Sequence, residues 1–124
     1  MQIRPQQQGI YRQIADYGID QVLAGIWRGG ERIPSVRQLA AEVGVNPNTV
    51  MHAYDYLKDL DVIETRRGLG LFVTPAGYTA ALALRREQFE RQEVPRLRRY
   101  LEVLDLAPDE LLNLLYPNRQ PPTP

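Results

Sequence analysis

Three polar side chains near the start of one predicted helix have the types and spacing for hydrogen-bonded recognition. Asn48, Thr49 and His52 carry an amide, a hydroxyl and an imidazole, and helical spacing places them on the exposed side of that helix. An asparagine amide bonds to the edge of adenine, and a threonine hydroxyl bonds to bases or touches a thymine methyl group. The alternative is that these side chains are solvated and bind nothing. This alternative remains open, especially for His52.

Arginines near these side chains could supply contacts to phosphate. Arg66 and Arg67 fall in a short loop that contains glycine, and Arg37 falls in the first turn of an earlier helix. Guanidinium groups in such places typically bind backbone phosphates or enter the minor groove of a duplex. The alternative is surface charge without a function, with Glu31 or Glu42 as an ion-pair partner for Arg37.

The composition argues against catalysis and against a metal centre. The 124 residues include no cysteine and a single histidine, so disulfides, thiolate metal sites and histidine clusters are excluded. We find no nucleophile paired with a base and no phosphate-binding loop, and we therefore expect neither an enzyme nor a cofactor. No apolar run approaches the roughly 18 residues of a membrane span, and the amino terminus lacks a signal-peptide pattern. We expect a cytoplasmic protein associated with the nucleoid.

The charge balance is unusual for a protein that binds nucleic acid. The chain carries 15 basic and 15 acidic residues, and residues 1–75 carry eight of each. A positive surface must therefore arise by local segregation of charge. Asp55 and Asp59 lie further along the exposed side of the helix that carries Asn48. Since phosphates repel carboxylates, that helix must approach a duplex with its amino-terminal end.

The chain between residues 10 and 60 is predicted to form three helices. Ile10, Ile14 and later apolar residues, including Ile26, predict an amphipathic helix over 10–28 that ends at Gly29-Gly30. Ser35, followed three residues later by Gln38, is a capping-box pattern at the start of a second helix. Gly44 ends that helix.

The third helix begins after a turn of only three residues, Gly44-Val45-Asn46. Asn46 suits the N-cap, and Pro47 suits the first helical position. The inward face comprises Val50, Ala53, Tyr54 and Leu57. Two short helices joined by such a turn predict a helix-turn-helix.

A β-hairpin is predicted directly after these helices. Residues 62–65 and 71–74 have strand composition, and the loop between them, 66–70, contains Gly68, which we interpret as turn geometry more than as a contact. Such a hairpin after a helix-turn-helix is the wing of a winged helix.

From residue 76 onward the chain is predicted to be helical. Helices are expected over 76–94, after an interruption at Pro95, and again from Pro108. This region carries more leucine side chains than two or three thin helices can bury by themselves. We therefore expect a second subunit to bury the remainder. The predicted dimerisation residues are Leu97, Leu101, Leu104, Leu111, Leu112 and Leu115. The Pro-rich tail over 117–124 is expected to be disordered.

Residues 30–73 resemble the amino-terminal domain of GntR-type bacterial regulators. The resemblance rests on Pro34-Ser35-x-Arg37-x-Leu39-Ala40, Gly44-Val45-Asn46, Thr49-Val50, Ala53-Tyr54, Leu57 and Arg67-Gly68-x-Gly70-x-Phe72-Val73. About 50 residues follow Thr74, which is similar to the short YtrA-type branch, whose last helices serve for dimerisation. Many other relatives carry a basic residue where Pro47 stands, so their base contact is not transferred to that position.

The resemblance and the residue patterns predict a mostly α-helical fold with a small β-hairpin. Residues 1–75 form a winged helix-turn-helix, and 76–116 form a helical dimerisation segment. The expected function is a transcriptional regulator, a repressor that binds a pseudo-palindromic operator as a homodimer; a small-molecule effector is left open. The alternative is a winged helix that contacts protein or RNA. The predicted DNA contacts are Ser35, Arg37, Asn46, Pro47, Asn48, Thr49, His52, Tyr54, Arg66, Arg67 and Gly68, with core packing as the alternative for Tyr54.

Overall fold

The computed structural model describes residues 9–118 of the chain. The residues form two compact units, divided after Leu84, whereas the sequence placed a boundary at residue 75. Most of the predicted Pro-rich tail, residues 119–124, lies outside the described residues. In the described part of the chain no helix is long and apolar enough to cross a membrane.

The first helix, α1, comprises Ile10–Leu23 and is shorter than the sequence predicted. The expected end at Gly29-Gly30 is wrong, because Gly25 takes a φ of 76° and turns the chain five residues earlier. The turn changes the phase of the apolar pattern. Ile26, which we expected on the buried side, is 62% exposed, and Trp27 is buried in its place.

Helices α2, Val36–Val43, and α3, Pro47–Asp59, form the predicted helix-turn-helix. The Ser35 hydroxyl accepts the Gln38 N–H at 3.1 Å, and the Gln38 side chain accepts the Ser35 N–H at 2.8 Å. The predicted capping box is therefore confirmed. Gly44, with a φ of 71°, ends α2 in the left-handed region that favours glycine.

Two antiparallel strands follow, β1 from Ile63 to Arg66 and β2 from Gly70 to Val73. Each is displaced by one residue from its predicted position. The connection between α1 and α2 lies along β2, where the N–H of Ile33 donates to the carbonyl of Leu71 at 2.9 Å. The pattern of residue types did not predict this contact, because the connection pairs with β2 at isolated bridges and does not form a regular strand.

The core of the first unit joins α1, α2, α3 and the hairpin. Gly18 permits the close approach of α1 and α3, since a Cβ there would lie 2.9 Å from Cδ1 of Leu57. The Trp27 ring meets Tyr17 and Tyr54 edge to face, with centroids 6.3 Å apart in each pair. The fully buried side chains include the predicted inward face of α3, namely Val50, Ala53, Tyr54 and Leu57.

Helix α4, Gly77–Gln88, begins in the first unit, where Ala81 is completely buried. The expected interruption at Pro95 is wrong, because the chain stays helical through a π-helical turn, Phe89–Glu93, into α5, Val94–Val103. Proline has no N–H and its ring crowds the carbonyl four residues earlier. The wider π turn, in which the Val94 N–H bonds to the carbonyl of Phe89, precedes the proline without ending the helix.

The last helix, α6, comprises Pro108–Leu115. No residue from Arg85 to Asn118 is buried, although this unit is rich in leucine. Leu97, Leu104 and Leu115 are 37%, 60% and 58% exposed, while Leu101, Leu111 and Leu112 are half-buried. The second unit therefore has no closed core of its own among the described residues.

Candidate nucleic-acid interface

The amino terminus of α3 is organised by Asn46 and Pro47. The Asn46 side chain accepts the N–H of Asn48 at 2.8 Å, and Pro47 occupies the first turn, where its missing N–H costs nothing. The helix dipole makes this end a favourable place for an anion. Asn48 is exposed and Thr49 half-buried, so the amide of Asn48 is the more accessible of the two.

Arg37 lies on the exposed side of the first turn of α2. Among residues 9–118 its guanidinium makes no ion pair, neither with Glu31 nor with Glu42. The ion-pair alternative for Arg37 is thus not what the structure shows. Ser35, next to it, uses its hydroxyl in the capping box. Phosphate contact by these two residues stays a prediction.

The two arginines of the wing differ, which the sequence did not distinguish. Nε of Arg66 lies 3.0 Å from Oε1 of Glu64, and its guanidinium lies 4.3 Å from the centre of the Phe72 ring. Arg66 is therefore held against the strand face. Arg67 is exposed in the turn and, within the described chain, forms no ion pair. Gly68 takes a φ of 76° in that turn, as expected of turn geometry.

Tyr54 corrects the prediction of a DNA contact at its position. The side chain is 1% exposed, and its hydroxyl donates to the carbonyl oxygen of Pro34 at 2.7 Å. Burial, with smaller contributions from Glu42 and Tyr17, raises the pKa of this hydroxyl well above its usual range. Tyr54 thus packs in the core and stays protonated, which agrees with the alternative interpretation of this residue.

His52 is exposed but not simply solvated. Its ring stacks on Tyr11 of α1, with centroids 3.8 Å apart and planes 13° apart. Periodicity could not reveal this contact, since it joins residues 41 positions apart.

The acidic residues of α3 lie beyond its amino-terminal half. Asp55 and Asp59 are exposed, and the Asp55 carboxylate lies 3.8 Å from Nζ of Lys58. The end of α3 that carries Asn48 thus has no carboxylate on its own first turn. In the described chain no group of three or more His, Cys, Asp or Glu side chains is placed to hold a metal ion. This arrangement suits hydrogen bonding to an anionic partner.

Comparison with known proteins identifies the family. The profile of the bacterial regulatory proteins of the gntR family matches residues 10–73, which comprise α1, α2, α3 and the hairpin. The chain belongs to the GntR family. As a member it is a DNA-binding transcriptional regulator.

Individual relatives agree with this assignment. The uncharacterized HTH-type transcriptional regulator YhcF of Bacillus subtilis is 31% identical over 103 residues, covering 83% of this chain and 84% of YhcF. The HTH-type transcriptional repressor YtrA of the same organism is 43% identical over 65 residues, but the match covers only 50% of YtrA. A putative GntR-family regulator from Bacteroides thetaiotaomicron has a crystal structure that is 40% identical, with a TM-score of 0.75 over 87% of this chain and 94% of that one. The predicted fold class, mostly helical with a small hairpin, is confirmed.

Proposed function

We propose that this GntR-family regulator represses transcription by binding a pseudo-palindromic operator as a homodimer, in the cytoplasm and on the nucleoid. The observation that carries the proposal is the combination of an exposed, capped amino terminus on α3 with a second unit whose leucines are left exposed. Repression is supported by the likeness to YtrA, which is described as a repressor.

Dimerisation is supported by the distribution of apolar surface. Besides Leu104 and Leu115, the second unit exposes Tyr100, Val103 and Leu114, which are 58%, 74% and 68% exposed. A concentration of apolar side chains this large on a short helical unit typically marks a protein interface. Removing it from water in a second copy would contribute about 25 cal/mol for each Å² of apolar surface buried, which has to exceed the entropy lost on association.

The dimer would compensate for the weak field of the DNA-binding unit. Residues 1–75 have equal numbers of acidic and basic residues, so a single unit attracts DNA only through locally placed groups such as Arg37 and Arg67. Two linked half-site contacts raise the overall affinity by roughly 10²–10⁴ without any additional contact. A two-fold dimer would present its two recognition helices, the two copies of α3, about 34–36 Å apart, one turn of duplex.

Selection of binding sites from random duplexes by the full-length protein tests the proposal. We expect the selected sequences to share an inverted repeat with half-site centres about one helical turn apart, and we expect a dimer in sedimentation at micromolar concentration. Transcription in vitro from a promoter carrying the selected site should fall when the protein is added.

Three results would contradict the proposal. A selected motif without two-fold symmetry, or a monomer at micromolar concentration, would exclude the dimeric operator complex. Equal competition by random duplex and by selected duplex would favour the alternative of a winged helix that contacts protein or RNA, and RNA competitors would then separate these two partners.

A further inference from the structure

Four side chains at the contact between α1 and α3 form a continuous cluster, which we call the α1 flank: Tyr11, Arg12, His52 and Tyr56. The Tyr11 ring stacks on His52 at 3.8 Å between centroids. The guanidinium carbon of Arg12 lies 4.4 Å from the centre of the Tyr56 ring. The two tyrosines meet edge to face, with centroids 6.4 Å apart and planes 77° apart. Each tyrosine therefore supports one nitrogen-bearing side chain.

The two supported side chains keep donors available. Stacking uses the face of an imidazole and leaves both ring nitrogens at its edge, and His52 is exposed. Arg12 is half-buried, and its Nε is buried without a hydrogen-bond partner in the part of the chain that the structure describes, so its contact to a phosphate would be made by the two Nη groups. The Tyr56 ring offsets part of the cost of desolvating this guanidinium. Rings that restrict both side chains also lower the entropy that each would lose on binding.

The position of the α1 flank on α3 fits a phosphate at the edge of a groove. His52 follows Asn48 by four residues, so it lies one helical turn, about 6 Å, further from the amino terminus. When a helix enters the major groove by its amino-terminal end, its later turns rise toward the backbone. The carboxylate of Asp55, three residues on from His52, lies within 3.8 Å of Lys58 Nζ, which reduces its repulsion of a phosphate.

We propose that the α1 flank binds a backbone phosphate of the same duplex whose bases Asn48 contacts. His52 and Arg12 donate hydrogen bonds to the phosphate oxygens, and Tyr11 and Tyr56 act as positioning residues that orient them. The proposal rests on the operator binding proposed above and extends it from α3 to the first helix.

A double-mutant cycle on the full-length protein tests the positioning role of Tyr11. With the selected operator, His52→Ala and Tyr11→Ala should each weaken binding about tenfold, the effect of removing one hydrogen bond to a charged group. The double variant should be no weaker than His52→Ala alone, because Tyr11 acts through His52. Tyr11→Phe keeps the stacked ring and should bind as the parent protein does.

Two further measurements complete the test. Arg12→Gln should lower the slope of log affinity against log salt by about one unit, on operator and on random duplex alike. Tyr78→Ala removes an exposed tyrosine (51% exposed) outside the flank and serves as the matched control, with unchanged affinity expected. Circular dichroism at the assay temperature shows whether Tyr11→Ala remains folded. If it does not, Tyr11→Phe, His52→Ala and Arg12→Gln still decide the question.

The outcomes separate this proposal from the one on which it rests. If the parent protein prefers its selected duplex while His52→Ala and Arg12→Gln bind like the parent, the α1 flank does not contact DNA and only this inference is overturned. Weakened binding by Tyr11→Phe, or additive effects of Tyr11→Ala and His52→Ala, would refute the positioning role. If the parent shows no preference for any duplex, the proposed operator binding itself fails.

Discussion

The Tyr54 hydroxyl donates a hydrogen bond of 2.7 Å to the main-chain carbonyl oxygen of Pro34, twenty residues earlier in the chain. Pro34 directly precedes Ser35, the N-cap of α2, so the bond joins the middle of α3 to the start of α2. Trp27 packs edge to face on the same tyrosine ring, with the planes at 75°. The bond therefore holds α3 against the start of α2, and the ring contact holds α3 against the connection between α1 and α2.

Replacement of Tyr54 by phenylalanine should lower the free energy of unfolding by about 1 kcal/mol at neutral pH. The ring stays in the core, but the Pro34 carbonyl loses its donor. Chemical denaturation followed by circular dichroism measures the difference. Tyr78→Phe, at an exposed tyrosine, is the control and should leave the free energy of unfolding unchanged. An equal loss in both variants would show that the Tyr54 bond contributes nothing specific.

The same substitution should change the dependence of stability on alkaline pH. Burial raises the pKa of Tyr54 in the folded protein, whereas a tyrosine in the unfolded chain has a pKa of about 10. Above that pH the unfolded state binds fewer protons than the folded state, so the free energy of unfolding falls as pH rises. Tyr54→Phe removes this contribution, and denaturation between about pH 9 and pH 11 should show a shallower fall than in the parent protein. If the free energy of unfolding fell equally steeply with pH in Tyr54→Phe and in the parent protein, the raised pKa of Tyr54 would be contradicted.

The two arginines of the wing should respond differently to substitution. Arg67→Ala should reduce the slope of log affinity against log salt by about one unit, because we predict that Arg67 neutralises one backbone phosphate. Arg66→Ala should leave the slope nearly unchanged, because Arg66 already engages Glu64 and Phe72. Titrations of operator and random duplex at several salt concentrations measure both slopes. Equal reductions would mean that Arg66 leaves the strand face when DNA binds.

Asn48→Ala and Thr49→Ala should each reduce the preference for operator over random DNA by about 1–3 kcal/mol, because each removes a side chain that we predict to hydrogen-bond to a base. Thermal stability should change little for Asn48→Ala, since that side chain is exposed. Competition binding with the two duplexes gives the preference directly. If either variant lowered both affinities by the same factor, its side chain would contact the backbone and not the bases.

Leu104→Asp combined with Leu115→Asp should convert the proposed dimer to a monomer and weaken operator binding by about 100-fold or more. These two leucines are 60% and 58% exposed in the single chain, so the substitutions need not disturb its own packing. Sedimentation and operator titration measure the two effects. Ile26→Asp, at a 62% exposed site outside the second unit, is the matched control. Loss of dimerisation without loss of operator affinity would refute the link between them.

The helix-turn-helix could be predicted closely from the sequence because its signals are local. The capping box joins Ser35 to Gln38, three residues apart, and the cap at Asn46 accepts from Asn48, two residues on. The inward face of α3 repeats with the period of one helix. Each of these patterns lies within one short segment of the chain. The sequence alone therefore determined the caps, the three-residue turn and the buried face of α3.

The tertiary structure decided which side chains around the helix-turn-helix remain accessible to a binding partner. Arg66 and Arg67 are chemically identical neighbours, and only the position of Phe72 and Glu64 on the folded hairpin separates their environments. Because the chain turns at Gly25, the core contains Trp27 and not Ile26. The contact of Tyr11 with His52 joins α1 to α3. These relationships depend on how distant segments pack in three dimensions, and a one-dimensional pattern of residue types does not contain that information.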